Sequence, residues 1–202
     1  DGIVLWGPSA SANQILGNWI GLSASGSSAI GNTFDGIRLE NGASGNTVGG
    51  AASGARNVIS GNGRDGVRIT DEASDGNAVL GNWIGSNAAG TAAPGNGGDG
   101  IFIRNGADSS RIGGAAPGEG NWVVSPGLVG IKIDGSSTGT TIRGNRVGTD
   151  LAGSANFGAV QNGILLEHGA AQSSIVENTV AFSGRGGVYT DGIDLLSTAG
   201  SG

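Results

Sequence analysis

Apolar residues in this chain come in short pulses of alternating spacing. Ile3 and Leu5, Ile37 and Leu39, Val67 and Ile69, Ile101 and Ile103, Ile131 and Ile133, and Ile164 and Leu166 each leave one residue between them. Period two is the mark of a strand with one buried face. Two shorter pulses follow each of these, anchored at Ile15 and Ile20, Val48 and Ile59, Val79 and Ile84, Ile112 and Val123, Ile142 and Val147, and Ile175 and Val180. The residues between pulses are mostly Gly, Ala, Ser and Asn and carry no helical period. The pattern predicts three short strands per unit and six full units, with Val188 opening a partial seventh.

The intervals between anchors sharpen this prediction. The step from first to second anchor holds constant to within one position, as from Ile3 to Ile15 and from Ile37 to Val48. The step from second to third is short in units one, three, five and six, as from Ile15 to Ile20. In units two and four it is longer, from Val48 to Ile59 and from Ile112 to Val123. The return to the next first strand is long after units one, three and five, as from Ile20 to Ile37. Elsewhere it is short, as from Ile59 to Val67, if Val188 is the seventh anchor. The minimal unit would then be the sixth, Ile164 to Val188, with both connections short. Odd units before it add a loop after the third strand, and units two and four add one before it. Strand lengths stay fixed while loops alternate between two corners. That is the arithmetic of a parallel solenoid, in which each unit is one turn and like strands stack at ~4.8 Å. A globular α/β fold would need helices between its parallel strands. The expected architecture is one all-β domain over residues 1–202, a parallel β-helix with three strands per rung, on the order of 30 Å long.

A row of asparagines supports the alignment. Asn18, Asn57, Asn82, Asn121, Asn145 and Asn178 each stand two residues before a third-strand anchor. Stacked at one corner, their amides can bond one another and the backbone groups that a turn leaves unpaired. A looser row precedes the second strand: Asn13, Asn46, Asn77, Ser110, Thr140 and Ser173. Asp35, Asp65 and Asp99 each precede a glycine just ahead of a first strand, which reads as turn chemistry.

Recurring motifs carry a resemblance. They are DGIVL (1–5), DGIRL (35–39), DGVRI (65–69), DGIFI (99–103), GIKI (130–133) and NGILL (162–166), with NVISGN at 57–62 and GNWIG at 17–21 and 81–85. The chain resembles the right-handed parallel β-helices of the pectin-lyase-like superfamily, and its motifs resemble repeats of large bacterial secreted or surface proteins. The resemblance implies a fold that hosts lyases, hydrolases, epimerases, adhesins and passive spacers alike. It implies an extracellular or cell-surface location.

Composition narrows the choice. There are 44 glycines, no cysteine and no methionine, and Lys132 is the single lysine. Without cysteine there is no disulfide framework. A net charge of −6 argues against nucleic acid as partner. No apolar run approaches a membrane span. The chain opens inside a repeat, and its last segment begins another, so it is expected to be a segment of a longer protein or a unit that stacks end to end into a fibre.

Two outward rows are candidates for chemistry. On the first strand, Arg68, Arg104, Lys132, Asp134 and Glu167 form a mixed-charge patch beside His168. A polyuronate lyase needs cations to hold carboxylates and a base to remove the adjacent proton, and the patch offers both types. The alternative is a solvated face of weak ion pairs. The paired-Asp and Gly-x-His-Gly signatures of polygalacturonase-like sites and the Asp-Pro-His-Glu of epimerase-like sites are absent. His168 is the single histidine, which excludes a histidine-pair metal site and suits a loop residue. On the third strand, Trp19, Trp83 and Trp122 share an outward row, with Trp83 and Trp122 expected on adjacent rungs. Such a row can stack on sugar rings or anchor a protein. The alternative, which we favour, is that the long loops carrying Leu22, Ile30 and Phe34, Ala88 and Ala92, and Leu151, Phe157 and Val160 fold over it. Asp150 and nearby carbonyls offer one weak calcium position and no cofactor is otherwise indicated. The expected function is a non-catalytic extracellular scaffold or adhesion module that binds polysaccharide or a surface protein along one face. The alternatives are a polysaccharide-active enzyme and a fibre unit.

Overall fold

The computed structural model describes residues 1–159, 161–184 and 191–196. Its strands fall into three parallel sheets, one strand of each per rung. The first sheet has seven strands: Ile3–Trp6, Ile37–Glu40, Val67–Thr70, Ile101–Arg104, Ile131–Ile133, Ile164–Leu166 and Ile193–Leu195. The second runs from Gln14–Ile15 through Thr47–Gly49, Ala78–Leu80, Arg111–Gly113 and Thr141–Arg143 to Ser174–Val176. The third runs from Trp19–Ile20 through Val58–Ile59, Trp83–Ile84, Trp122–Val123 and Arg146–Val147 to Thr179–Val180. The one helical turn among the described residues is a 3₁₀ turn at Ser53–Ala55, inside a loop between second and third strands. No helix there is long and apolar enough to cross a membrane.

Register follows the predicted anchors. Ile3 stands opposite Ile37, then Val67, Ile101, Ile131 and Ile164 in turn. The seventh rung departs from the prediction. Val188 lies outside the described residues, and the strand that pairs with Ile164–Leu166 places Ile193 opposite Ile164. The reason is the corner. Asp191-Gly192 repeats the Asp-Gly that precedes the strands at Ile37, Val67 and Ile101, whereas Val188 follows Gly186-Gly187. The sixth rung therefore runs from Ile164 to Ile193, and the compact unit ending at Val188 does not occur.

Inward residues form columns through the molecule. Ile37, Val67, Ile101, Ile131 and Ile164 are sealed from solvent, as are Leu39, Ile69, Ile103 and Ile133 two residues on. Val48, Val79, Ile112 and Ile142 line the second sheet; Ile59, Ile84, Val123 and Val147 line the third. β-Branched residues suit a pleated wall where each side chain packs on its own kind above and below. The space inside explains the Asp-Gly glycine. Gly66 has an ordinary φ, yet a Cβ there would lie 2.6 Å from the Gly100 carbonyl oxygen and 2.6 Å from the Ile84 Cγ2 methyl. The corner is closed by contact with the next rung, and only hydrogen fits.

The asparagine row is a continuous hydrogen-bonded column. Asn82 donates its backbone N–H and its Nδ2–H to Asn121 Oδ1, at 3.0 and 3.1 Å. Asn121 treats Asn145 the same way, at 3.0 and 2.9 Å, and also donates to the Val79 carbonyl on the preceding rung at 2.7 Å. Each buried amide thus ties three rungs together. Asn121→Ala would leave two buried donors on Asn82 without an acceptor, and is expected to lower unfolding stability by about 3 kcal/mol. Asn18 is only half-buried and accepts no such bonds among the described residues, so Asn18→Ala should cost less than about 1 kcal/mol; urea unfolding of both variants, with equal losses as the contrary result, checks this.

Candidate functional site

The outward row of the first sheet converges on an aromatic ring. Parallel register puts Phe102 between Arg68 and Lys132 on the neighbouring strands, and Arg104 follows two residues along. Their cationic groups lie 5.5, 5.2 and 5.3 Å from the ring centre, for Arg68, Lys132 and Arg104 respectively. Phe102 points out of the coil yet is only 8% exposed, because the stems of these long side chains cover it. The ring face attracts all three cations and holds like charges together.

A cleft of about 410 Å³ opens over this group. Its walls add Arg64, Asp65, Asp99, Leu128 and Asp134. Lys132 Nζ bonds Glu167 Oε1 at 2.7 Å and lies 3.9 Å from Asp134. His168 Nδ1 is 3.0 Å from Asp134 and 3.5 Å from Glu167. Asp134, Glu167 and His168 offer three ligand atoms within 4.8 Å of one another, but the Lys132 ammonium already supplies the positive charge at that spot. His168 adopts φ 48° at the turn after its strand, in register with Asn105 at φ 57°. Arg68 approaches Asp65 at 3.8 Å. Among the described residues neither Arg64 nor Arg104 is paired with a carboxylate; Arg64 lies over the Phe34 ring and Arg104 bonds the Asn105 side chain.

The aspartates at the Asp-Gly corners form a second column. Asp35 donates its N–H to Asp1 Oδ1 at 2.9 Å, Asp65 to Asp35 Oδ1 at 3.0 Å, Asp99 to Asp65 Oδ1 at 2.8 Å, and Val129 to Asp99 Oδ1 at 2.8 Å. Corner chemistry explains one oxygen of each carboxylate. Stacking also sets like charges one rung apart in a dry place, since Asp65 and Asp99 are 6% and 4% exposed. Burial pushes the Asp99 carboxyl up to about 7; Asp65 and Glu167 add to the rise, while the Val129 N–H and Lys132 oppose it. Burial also raises Asp65, against the bond from the Asp99 N–H.

The sequence reading placed Arg68, Arg104, Lys132, Asp134 and Glu167 on one face, and the structure gathers them around the cleft and its Lys132 network. It assigned Asp65 and Asp99 to turn chemistry alone and left Arg64 and Phe102 out of the patch. Phe102 had a visible signal, an aromatic in the outward register between Arg68 and Lys132. The aspartates had none beyond their corner position.

The tryptophan row lies on the third sheet. Trp83 and Trp122 meet edge to face with centroids 5.1 Å apart. Trp122 is 3% exposed and donates its Nε1–H to the Thr149 carbonyl at 2.6 Å, while Arg56 stacks over Trp83 at 4.3 Å. Gly90, in a long loop, lies against both rings. Trp19 remains 49% exposed beside Gly26 of its own loop. Asp150 closes the loop it stands in: backbone bonds from Ala155 and Ser154 hold its carboxyl below the usual range.

No family model, curated protein or solved structure matches the chain.

The raised Asp99 carboxyl has a consequence for stability. The folded chain holds a proton that the unfolded chain gives up near 3.8, so this contribution is full below that pH and is lost as pH rises through about 7. An asparagine Oδ1 can accept the Val129 N–H in place of the carboxylate, without the charge. Asp99→Asn should be near neutral at about pH 4 and should stabilise by up to about 4 kcal/mol at about pH 8. Urea midpoints of both proteins across that range check it; a variant uniformly less stable would contradict it.

Proposed function

We propose that the protein is a non-catalytic, secreted or surface solenoid of the pectin-lyase-like kind, and that the cleft over Phe102 binds an acidic polysaccharide. The observation that carries this reading is the pair Arg64 and Arg104. Both reach the cleft without a carboxylate partner among the described residues, in a chain whose net charge is −6. Four of its ten basic residues line this one cleft. Free guanidinium groups match the carboxylates of a uronate chain in charge and in fork geometry. A row of strands at ~4.8 Å gives an extended ligand an extended, rigid track.

A catalytic reading is favoured by one observation, the nearly neutral Asp99 carboxyl among cations, which is poised to exchange a proton. Incubation with polyuronates separates the two: a lyase leaves a conjugated double bond at the new chain end, and Lys132→Ala would remove that product. The binding reading expects none. It expects a uronate oligosaccharide to bind in preference to its neutral counterpart, and Arg104→Ala to weaken it by about tenfold. Arg111→Ala is the control, since Arg111 lies on the second sheet and pairs with Glu119. Calorimetric titration measures all three; equal affinity for charged and neutral sugars would overturn the reading.

A further inference from the structure

Stacked columns of side chains close the corners of this solenoid, and most of them are amides. Asn18 to Asn178 form one, Asn13, Asn46 and Asn77 a second, and Asn32, Asn62 and Asn96 a third. In each, Oδ1 accepts the N–H from the preceding rung while Nδ2 donates onward, as Asn62 does to Asn96 Oδ1 at 3.0 Å. The column ahead of the first sheet uses Asp1, Asp35, Asp65 and Asp99 instead. Its polarity is reversed, because each carboxylate accepts the N–H of the following rung; it has no hydrogen to donate, and it repels the carboxylate stacked next to it. An amide Oδ1 could accept that N–H without the charge. Half-buried Asp75 and Asp108 close another corner in the same way, but only Asp65 and Asp99 do so buried beside a cleft, and the stability cost retained there points to a role.

The role follows from what the column borders. Asp65 and Asp99 are walls of the Phe102 cleft. The charged groups facing Asp99 are Asp65 and Arg64 at the corner, Arg68 on the strand Val67–Thr70, Arg104 on its own strand, Lys132 and Asp134 on the next, and Glu167 beyond, with His168 at the rim and Asp35 one rung further off. Four cations therefore meet four carboxylates, Asp65, Asp99, Asp134 and Glu167. With all ionised the cleft is balanced. With a proton on Asp99 it carries one net positive charge.

We infer that the Asp65–Asp99 column makes capture of an acidic polysaccharide proton-dependent: the cleft takes the ligand while Asp99 holds a proton and releases it as that carboxyl ionises. This rests on the cleft being an acidic-glycan site. Linkage makes the effect reciprocal, so a bound polyanion strengthens the hold of Asp99 on its proton. The burial that sets Asp99 near neutrality places the change between mildly acidic and mildly alkaline conditions, where uronates stay ionised.

The test is calorimetric titration of the whole chain with tetragalacturonate at about pH 5.5 and about pH 8.5, at fixed ionic strength. The expected result is binding about tenfold weaker at the higher pH. In Asp99→Asn that ratio should fall below about twofold, while His168→Gln should keep it. Carboxyl NMR of the unbound wild-type protein supplies a readout that needs no ligand: Asp99 should titrate near neutrality, and higher once tetragalacturonate is bound. A tenfold ratio that survives in Asp99→Asn, or an Asp99 that titrates with ordinary aspartates, overturns the gate. Wild-type binding that ignores pH overturns the gate alone and leaves the cleft reading standing. No binding of tetragalacturonate at either pH overturns both.

Discussion

A chain that turns three times per rung must find partners for the backbone N–H groups that its corners leave outside the sheets. Almost everything else in this molecule depends on how that is met. The strands are two to four residues long, too short to define a rung alone. Side-chain oxygens, aligned one above another, take the corner N–H groups and convert a series of loose turns into vertical hydrogen-bonded columns. The interior then needs only β-branched residues of even size, because the columns fix the height and phase of each layer. Where a column weakens, the cost shows. Past Asn77 the second row continues as Ser110 and Thr140, whose buried hydroxyls have no hydrogen-bond partner.

Much of this was readable from the residues, for a physical reason. Period-two alternation and invariant strand spacing are imposed by the pleat and by register, so Ile3, Ile37, Val67, Ile101, Ile131 and Ile164 announce themselves. The asparagine column before the third strand was legible because its offset from the anchor never varies. The Asn32–Asn62–Asn96 column was missed because it sits at the end of connections of unequal length, where counting from an anchor fails. Val188 misled because an apolar residue at the right interval looks like an anchor, whereas the seventh strand follows Asp191-Gly192, the pair that also precedes Ile37, Val67 and Ile101.

The cleft was legible in its charges and illegible in its centre. Arg68, Arg104 and Lys132 stand out in a chain poor in basic residues. Phe102 did not, because an outward aromatic in a strand is normally a surface residue, and only the stems of three neighbouring cations make it a buried one. The aspartates show a different limit. One side chain serves two masters there: one carboxylate oxygen completes a corner, and the charge faces a cleft. Sequence position reveals the first duty and conceals the second.

The alternation of the long loops has a consequence for how such a chain grows. The loops after the third strands of rungs one and five fold back on themselves, with antiparallel bridges at Leu22–Ala29 and Thr149–Asn156. A folded-back loop is two backbones thick, about 10 Å, whereas a rung is ~4.8 Å high. Such loops cannot project from one corner on successive rungs. Set on every second rung they fit edge to edge, and the loops of rungs one and three do touch, through the Ala88 N–H and the Gly26 carbonyl at 3.0 Å. The unit that can be duplicated without a collision is therefore the pair of rungs, the stretch that carries the chain from Ile3 to Val67. Duplicating a single loop-bearing rung would place two double-thickness loops on successive rungs at the same corner.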